Sequence, residues 1–222
     1  MNATPRQQVL PNIRLPQTPT LDNFVVGSNS EVLTALERFA AGQEIRAHYL
    51  WGEPGSGRSH LLGAVAGRMN AVVLHGANVS GDFAPPDHAV VVIDDVDTLS
   101  PEAQVALFRC FNDMRPRGLR LLLSGKTSPL QLACREDLRT RIGQSLIYEI
   151  KPLTDADKAS ALHWHAAQRG MRVDDSVIEY LLRHGRRDLL SLMAVLDALD
   201  QQSLEQKRPV TLPLLRDIMN NH

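Results

Sequence analysis

One stretch constrains this chain more than any other: Gly52-Glu53-Pro54-Gly55-Ser56-Gly57-Arg58-Ser59. The apolar run Ala47 to Trp51 reads as a strand before it, and Arg58 to Met69 reads as a helix after it. A glycine-rich turn between a strand and a helix is the layout of a P-loop, G-x-x-x-x-G-K-[ST], here with Arg58 where lysine is expected. Glycines let the backbone wrap around phosphate oxygens, and the free N–H groups of a helix start point at the bound anion. Gly52, Gly55, Gly57, Arg58 and Ser59 are therefore candidate nucleotide-binding residues, with Ser59 a magnesium ligand. The competing reading is a glycine-rich turn that binds nothing. The four lysines, Lys126, Lys151, Lys158 and Lys207, all lie elsewhere, so no shifted register restores the motif. Arginine keeps the positive charge, but its planar fork is bulkier than an ammonium group. Binding should survive the exchange better than hydrolysis.

The rest of the chain supplies the fold such a turn needs. Further apolar runs, Ala71 to His75, Ala89 to Asp94, Leu119 to Ser124 and Leu146 to Lys151, have strand length and alternate with helical patterns. Asn29 or Ser30 can cap a helix through Phe39, and Ser100-Pro101-Glu102 starts one reaching about Met114. Continuously apolar strands separated by helices imply a parallel sheet covered on both faces. After Pro152 only helical patterns remain: Thr154 to Gly170, Asp174 or Asp175 to Gly185, Arg187 to Leu204, and a short one after Thr211. The expected fold class is α/β, a P-loop core on a five-stranded parallel sheet followed by a small α-helical lid domain. The expected divisions are a tail over 1–20, a nucleotide-binding domain over 21–152 and a lid over 153–222.

Val90-Val91-Val92-Ile93-Asp94-Asp95 is the Walker B candidate. An apolar strand ending in acids places a carboxylate at the sheet's C-terminal edge, beside a bound metal. Asp94 is the metal-side carboxylate, and Asp95 stands where a water-polarising glutamate is common but is one methylene shorter. A helix-capping pair before Ser100 is the alternative role. Composition excludes several classes. The 24 Lys+Arg against 25 Asp+Glu give a net charge of −1, against a duplex-coating protein. No apolar run approaches the ~18–20 residues of a membrane span. The N-terminus carries no signal pattern, so a cytoplasmic location is expected. The two cysteines, Cys110 and Cys134, make no disulfide framework. Pro5, Pro11, Pro16 and Pro19 imply an extended tail, whose Val9, Leu10, Ile13 and Leu15 fit a docking peptide or a segment packed on its own domain.

Taken together, the P-loop, the Asp-Asp strand end, the strand closing at Ser124, an arginine before the last strand and a helical lid resemble an AAA+ module. Leu21 to Gly27 resembles the lead-in segment of the replication initiator DnaA, which implies that Val25 and Val26 lie against the base. Gly57-Arg58-Ser59-His60-Leu61-Leu62, with arginine for lysine, is similar to the Hda family of short DnaA relatives, which inactivate the initiator. His60 joins the candidate nucleotide residues on that likeness, and Ser124 fits a sensor I strand end, though a serine there is commonly a turn residue. The resemblance implies bound ADP or ATP, with magnesium held through Ser59 and Asp94. It also places Arg141, in Asp137-Leu138-Arg139-Thr140-Arg141, where the family carries an arginine finger. Arg139 competes for that role, and an ion pair of Arg141 with Glu136 or Asp137 is the plain alternative.

Gln8-Val9-Leu10-Pro11-Asn12-Ile13 is similar to the family's clamp-binding hexapeptide, with Gln8, Val9, Leu10 and Ile13 as its candidate contacts and Pro11 replacing a leucine. Leu190 stands at the sensor II position usually held by arginine, with Arg186 or Arg187 as candidate substitutes. The chain ends soon after the lid, so a DNA-binding helix-turn-helix is not expected. The implied activity is negative regulation of replication initiation. Tethered to the DNA polymerase sliding clamp (beta subunit), such a protein stimulates hydrolysis of DnaA-bound ATP in trans, with little hydrolysis of its own. Its implied location is bacterial cytoplasm, near the nucleoid through the clamp. A homo-oligomer controlling exposure of Arg141 and no strong direct DNA binding are further expectations. The rivals are a self-sufficient AAA+ ATPase, as a helicase loader or DNA remodeller, and a non-catalytic P-loop adaptor.

Overall fold

The computed structural model describes residues 18–43 and 47–220. The clamp candidates Gln8, Val9, Leu10 and Ile13 lie outside the described residues. Five parallel strands form one sheet: β1 (His48–Trp51), β2 (Val73–His75), β3 (Val90–Asp94), β4 (Arg120–Gly125) and β5 (Leu146–Glu149). Their order is β2-β3-β4-β1-β5, so the P-loop strand lies inside the sheet with β4 between it and β3. The two faces explain why the strand sequences lack alternation. On one face Tyr49, Val91, Ile93, Leu121 and Leu123 pack with Leu107 and Leu138; on the other Leu50, Val92 and Leu122 pack with Leu36, Leu61 and Val65. A strand buried on both faces has no polar side to show.

The helices of the first domain are α1 (Ser30–Ala40), α2 (Arg58–Arg68), α3 (Pro101–Arg117) and α4 (Glu136–Gly143). The α1 start differs from expectation. Asn29 occupies the N-cap position, yet its side chain makes no capping bond. Its amide instead spans to the end of the sheet, donating to Lys151 O (3.0 Å) and accepting from Lys151 N–H (2.8 Å). Two satisfied bonds in a buried place outweigh one cap bond that water can replace. Helix α3 starts as its sequence indicates, with Ser100 Oγ accepting from Ala103 N–H and Pro101 in the first turn. It ends later than Met114, carrying Pro116 in its last turn, and Gly118 at φ 64 closes the helix. Helix α4 has no counterpart in the periodicity reading; eight residues with two buried apolar positions, Leu138 and Ile142, give too short a pattern to see.

The lid comprises α5 (Asp155–Gln168), α6 (Asp175–His184), α7 (Leu189–Gln206) and α8 (Leu212–Asn220). Thr154 and Asp157 form a reciprocal capping box at α5, and Leu162, Ile178, Leu181, Leu196 and Leu215 build a separate apolar core. Among the described residues no helix is long and apolar enough to cross a membrane.

Candidate functional site

A cavity of about 280 Å³ opens where the P-loop, the lead-in segment and the lid meet. From the first domain it is lined by Asn23, Phe24, Val25, Gly55, Ser56, Gly57, Arg58, Ser59 and His60, and from the lid side by Leu153, Asp188, Leu189, Leu190 and Met193. Gly55 and Gly57 take φ of 83° and 103°, conformations open to glycine. A Cβ on Gly57 would come within 2.8 Å of the Phe24 ring, so the loop depends on glycine for space as well as for backbone angle. Gly57 is the N-cap of α2 and provides no capping side chain, which leaves first-turn N–H groups for an anion. Ser56 Oγ is buried without a hydrogen-bond partner. An orphaned hydroxyl is costly inside a protein and fits a loop that completes its bonds on a bound phosphate group.

Arg58 is nearly enclosed, 7% exposed, and donates from Nη1 to Asp95 Oδ1 at 3.2 Å. The second carboxylate oxygen of Asp95 lies 3.5 Å from His75 Nε2. Asp95 itself sits at φ 52, which aspartate tolerates better than most residues. Asp94 points the other way. The β3–β4 register sets Ile93 opposite Leu123, so Asp94 comes beside Ser124, whose hydroxyl donates to Asp94 Oδ1. Ser124 Oγ also accepts from Asp95 N–H at 3.1 Å. Asp94, Asp95 and Ser124 thus form one polar cluster at the strand ends, joined to the cavity wall through Arg58. Neither acid caps α3, which Ser100 caps by itself. Among the described residues no group of three or more His, Cys, Asp or Glu side chains could hold a metal by themselves. Magnesium takes one or two protein oxygens and completes its shell with water and ligand phosphates; of the two expected donors Ser59 lines the cavity, whereas Asp94, 8% exposed, stands outside its lining.

The lead-in segment is tied to the P-loop helix. His60 Nε2–H donates to Thr20 O at 3.0 Å, Thr20 and Asn23 exchange side-chain bonds with each other's N–H, and the Phe24 and His60 ring centroids are 5.7 Å apart. Burial holds the His60 imidazole below its ordinary pKa, against the opposing pull of the Thr20 carbonyl. Val25 lines the cavity, whereas Val26 does not; its carbonyl accepts from Asn29 N–H instead. Gly52 also stays outside, pressed against Ile150 O where a Cβ has no room.

The lid contributes residues that sequence spacing does not reveal. Asp188 accepts from Ser191 N–H at 2.8 Å as the cap of α7, and the position of a Gly55 Cβ would lie 3.3 Å from Asp188 Cβ. Burial raises the Asp188 carboxyl, but hydrogen bonds from Ser191 and its own backbone, with Arg186 nearby, outweigh that and hold it below the usual carboxylate range. The Asp188-x-x-Ser191 spacing is the one signal that could have marked it. Met193, one of an apolar helical stripe, packs on the lid core and also faces the cavity. Leu190 is 57% exposed at the cavity wall, while the cavity lining includes neither Arg186 nor Arg187. The two histidines of α5 bond separately, His163 with Asp175 and His165 with Asp197.

Arg141 lies apart from this cavity, exposed in the last turn of α4. Its Nη2 donates to Asn112 Oδ1 at 2.9 Å and its Cζ lies 5.8 Å from the Phe108 ring centroid. The ion pair with Asp137 is made by Arg135 at 2.8 Å, so the plain alternative for Arg141 does not form there.

Comparison with known proteins adds the family. Residues 155–219 match the family model described as "Hda, lid domain". Domain III of the Thermotoga maritima replication initiation protein DnaA superposes with a TM-score of 0.74 at 18% identity, covering 92% of this chain and 97% of that one. The Thermotoga maritima RuvB Holliday junction branch migration motor superposes at 0.70 with 18% identity, covering 91% of this chain and 71% of the other. A replication initiator DnaA bound to AMPPCP and single-stranded DNA superposes at 0.69 with 18% identity, over 86% and 68% of the two chains. The five-stranded sheet and helical lid share the fold of DnaA domain III.

Proposed function

We propose that this chain restrains replication initiation by stimulating hydrolysis of ATP bound to DnaA, with Arg141 supplying a cation in trans. The observation that carries this reading is the state of Arg141: exposed, positively charged and without an ion pair among the described residues, on a chain whose residues 155–219 match the Hda lid model. A cation placed against a transferring phosphoryl group offsets the charge that develops there and is worth about 10³–10⁵ in rate in other NTPases. In this reading Gln8, Val9, Leu10 and Ile13 dock on the sliding clamp and raise the local concentration of the protein on DNA.

The chain's own cavity holds ADP or ATP as a resident ligand. The Gly55–Ser59 backbone and the Ser56 hydroxyl would receive the phosphates, Val25 and Phe24 would face the base, and lid residues would close the far wall. Magnesium, held by Ser59 and Asp94, would offset phosphate charge. Turnover at this cavity is weak because Asp95 is bonded to Arg58 and flanked by His75, and because an apolar Leu190 occupies the lid wall. The same features argue against a self-sufficient ATPase.

The test is hydrolysis of ATP prebound to DnaA, with clamp loaded on DNA, by the full chain and by Arg141→Ala. Strong stimulation that disappears in the variant is expected. Equal stimulation by the variant would remove Arg141 from the mechanism, and none by the intact protein would overturn the function.

A further inference from the structure

Arg186 and Arg187 stand where a cation for the nucleotide cavity is expected, yet neither lines it. They belong to a different surface. Arg183-His184-Gly185-Arg186-Arg187 puts three arginines and a histidine in five residues, with no acid among them. Arg183 and His184 close the last turn of α6, and Tyr180 stands three and four residues before them, on the same side of the helix. Val177, Ile178 and Leu181 fix this helix in the lid core, and Tyr180 packs partly against that core. Gly185 leaves no room for a Cβ, which would lie 2.6 Å from Leu181 O and 2.8 Å from Leu192 Cδ2. The chain therefore turns closely there and keeps Arg186 and Arg187 beside the end of α6.

The Tyr180 and His184 rings stack, with centroids 4.1 Å apart and planes 20° from parallel. His184 Nδ1–H donates to Tyr180 O at 3.0 Å, which fixes the orientation of the imidazole. Arg216, from α8, lays its guanidinium over the Tyr180 ring, 5.0 Å from the centroid. Arg183, His184, Arg187 and Arg216 are all exposed. Among the described residues Arg183, Arg187 and Arg216 form no ion pair with a carboxylate. Arg186 has a 4.0 Å approach to Asp188, which is itself engaged as the cap of α7. The C-terminal end of the α6 dipole suits Arg183 and His184 as plain surface cations. It does not account for Arg216 on another helix, or for Arg187 past the helix end.

Stacked rings set among guanidinium groups with no carboxylate to neutralise them suit one class of ligand. Phosphates take charge-assisted hydrogen bonds from guanidinium forks, and unpaired bases stack on exposed rings. We propose that this face of the lid binds single-stranded nucleic acid, with His184 on Tyr180 as the stacking surface for a base and Arg183, Arg187 and Arg216 receiving the backbone. In a duplex the base faces are covered by their neighbours, so the ring stack favours the single strand. The net charge of −1 bears on the coating of a long duplex and not on a patch of this size. The site is separate from the nucleotide cavity and does not depend on stimulation in trans.

The test is fluorescence anisotropy of a labelled oligothymidylate with the full chain at low salt, beside an abasic strand and a duplex of equal length. The oligothymidylate should bind roughly five- to tenfold more tightly than the abasic strand. His184→Ala should remove that advantage and leave abasic binding unchanged, whereas His184→Phe, which keeps a ring on Tyr180, should retain it. Three arginines on phosphates give a slope of about −2 in log affinity against log salt, at ~0.7 per phosphate on a single strand. Arg183→Gln combined with Arg187→Gln should flatten the slope to about −0.7 and weaken both strands alike. Arg68→Gln, which removes a charge from α2, should bind as wild type does. No binding at low salt, or wild-type binding by the double arginine variant, would overturn the proposal. So would equal affinity for abasic and thymidylate strands, the result expected of a patch that collects any polyanion, or tighter binding of the duplex. Release of the strand by ADP would move it to the P-loop cavity and overturn the assignment as well.

Discussion

Replacing Asp95 by asparagine tests how firmly the P-loop arginine is held. Asparagine suits the left-handed backbone at φ 52 and keeps one acceptor oxygen, so the change removes charge with little change of shape. Two unit charges 3.2 Å apart attract by about 5 kcal/mol at an effective dielectric constant of ~20. Most of that is offset by desolvation of Arg58, of which 7% is exposed, and of Asp95, whose side chain is 21% exposed. What remains is the net worth of a charge-assisted hydrogen bond, about 1.5–3 kcal/mol. At ~2–4 °C per kcal/mol for a chain of this size, Asp95→Asn should melt roughly 3–12 °C lower. The assay is urea unfolding of wild type, Asp95→Asn, Arg58→Met and the double variant without nucleotide. Methionine fills the space of the arginine stem, so the double variant retains neither an unpaired buried cation nor a cavity. A coupling of about 1.5–3 kcal/mol is expected, with the double variant well above the sum of the singles. Additivity within ~0.5 kcal/mol would show that the 3.2 Å contact contributes nothing, and the account of Arg58 as a latched group would be wrong.

Two further predictions concern the same cavity. Gly57→Ala should lose roughly 2 kcal/mol, because φ of 103° strains any side chain and the new Cβ meets Phe24 at 2.8 Å. ADP should no longer shift its melting temperature, and an ADP shift equal to wild type would refute the role given to this turn. His60 supplies a pH dependence. Its pKa is lowered on folding, so its contribution to stability is present above the unfolded value of about 6.5 and is lost as pH falls through the folded value. Wild type should therefore lose stability relative to His60→Gln, which keeps a donor for Thr20 O, as pH falls below about 6.5; parallel curves would sink this account.

Much of this site is local chemistry and could be read from the chain directly. The P-loop is a strand, a turn and a helix start within a dozen residues, and Gly55 and Gly57 take backbone angles that glycine alone adopts freely. The five strands were legible for a similar reason, since burial on both faces writes itself as unbroken apolar runs. Asn29 marks the boundary of that reading. Its residue type predicts a cap, but the fold brings Lys151 within reach, and a buried amide takes the two-bond partner over the one-bond cap.

The sequence by itself determined that a phosphate-cradling turn, a pair of acids at a strand end and a helical C-terminal region belong to one α/β chain. Tertiary structure decided their engagements. Strand order set β4 between β1 and β3 and so gave Asp94 the hydroxyl of Ser124, leaving Asp95 to Arg58. Docking of the lid brought Asp188, Leu190 and Met193 to the cavity from over a hundred residues away, and packing of α3 on α4 gave Arg141 an amide where its own helix offered carboxylates. Local preference depends on a residue and its few neighbours along the chain. Which charge meets which partner depends on contacts closed across long loops, and no spacing in the chain encodes those distances.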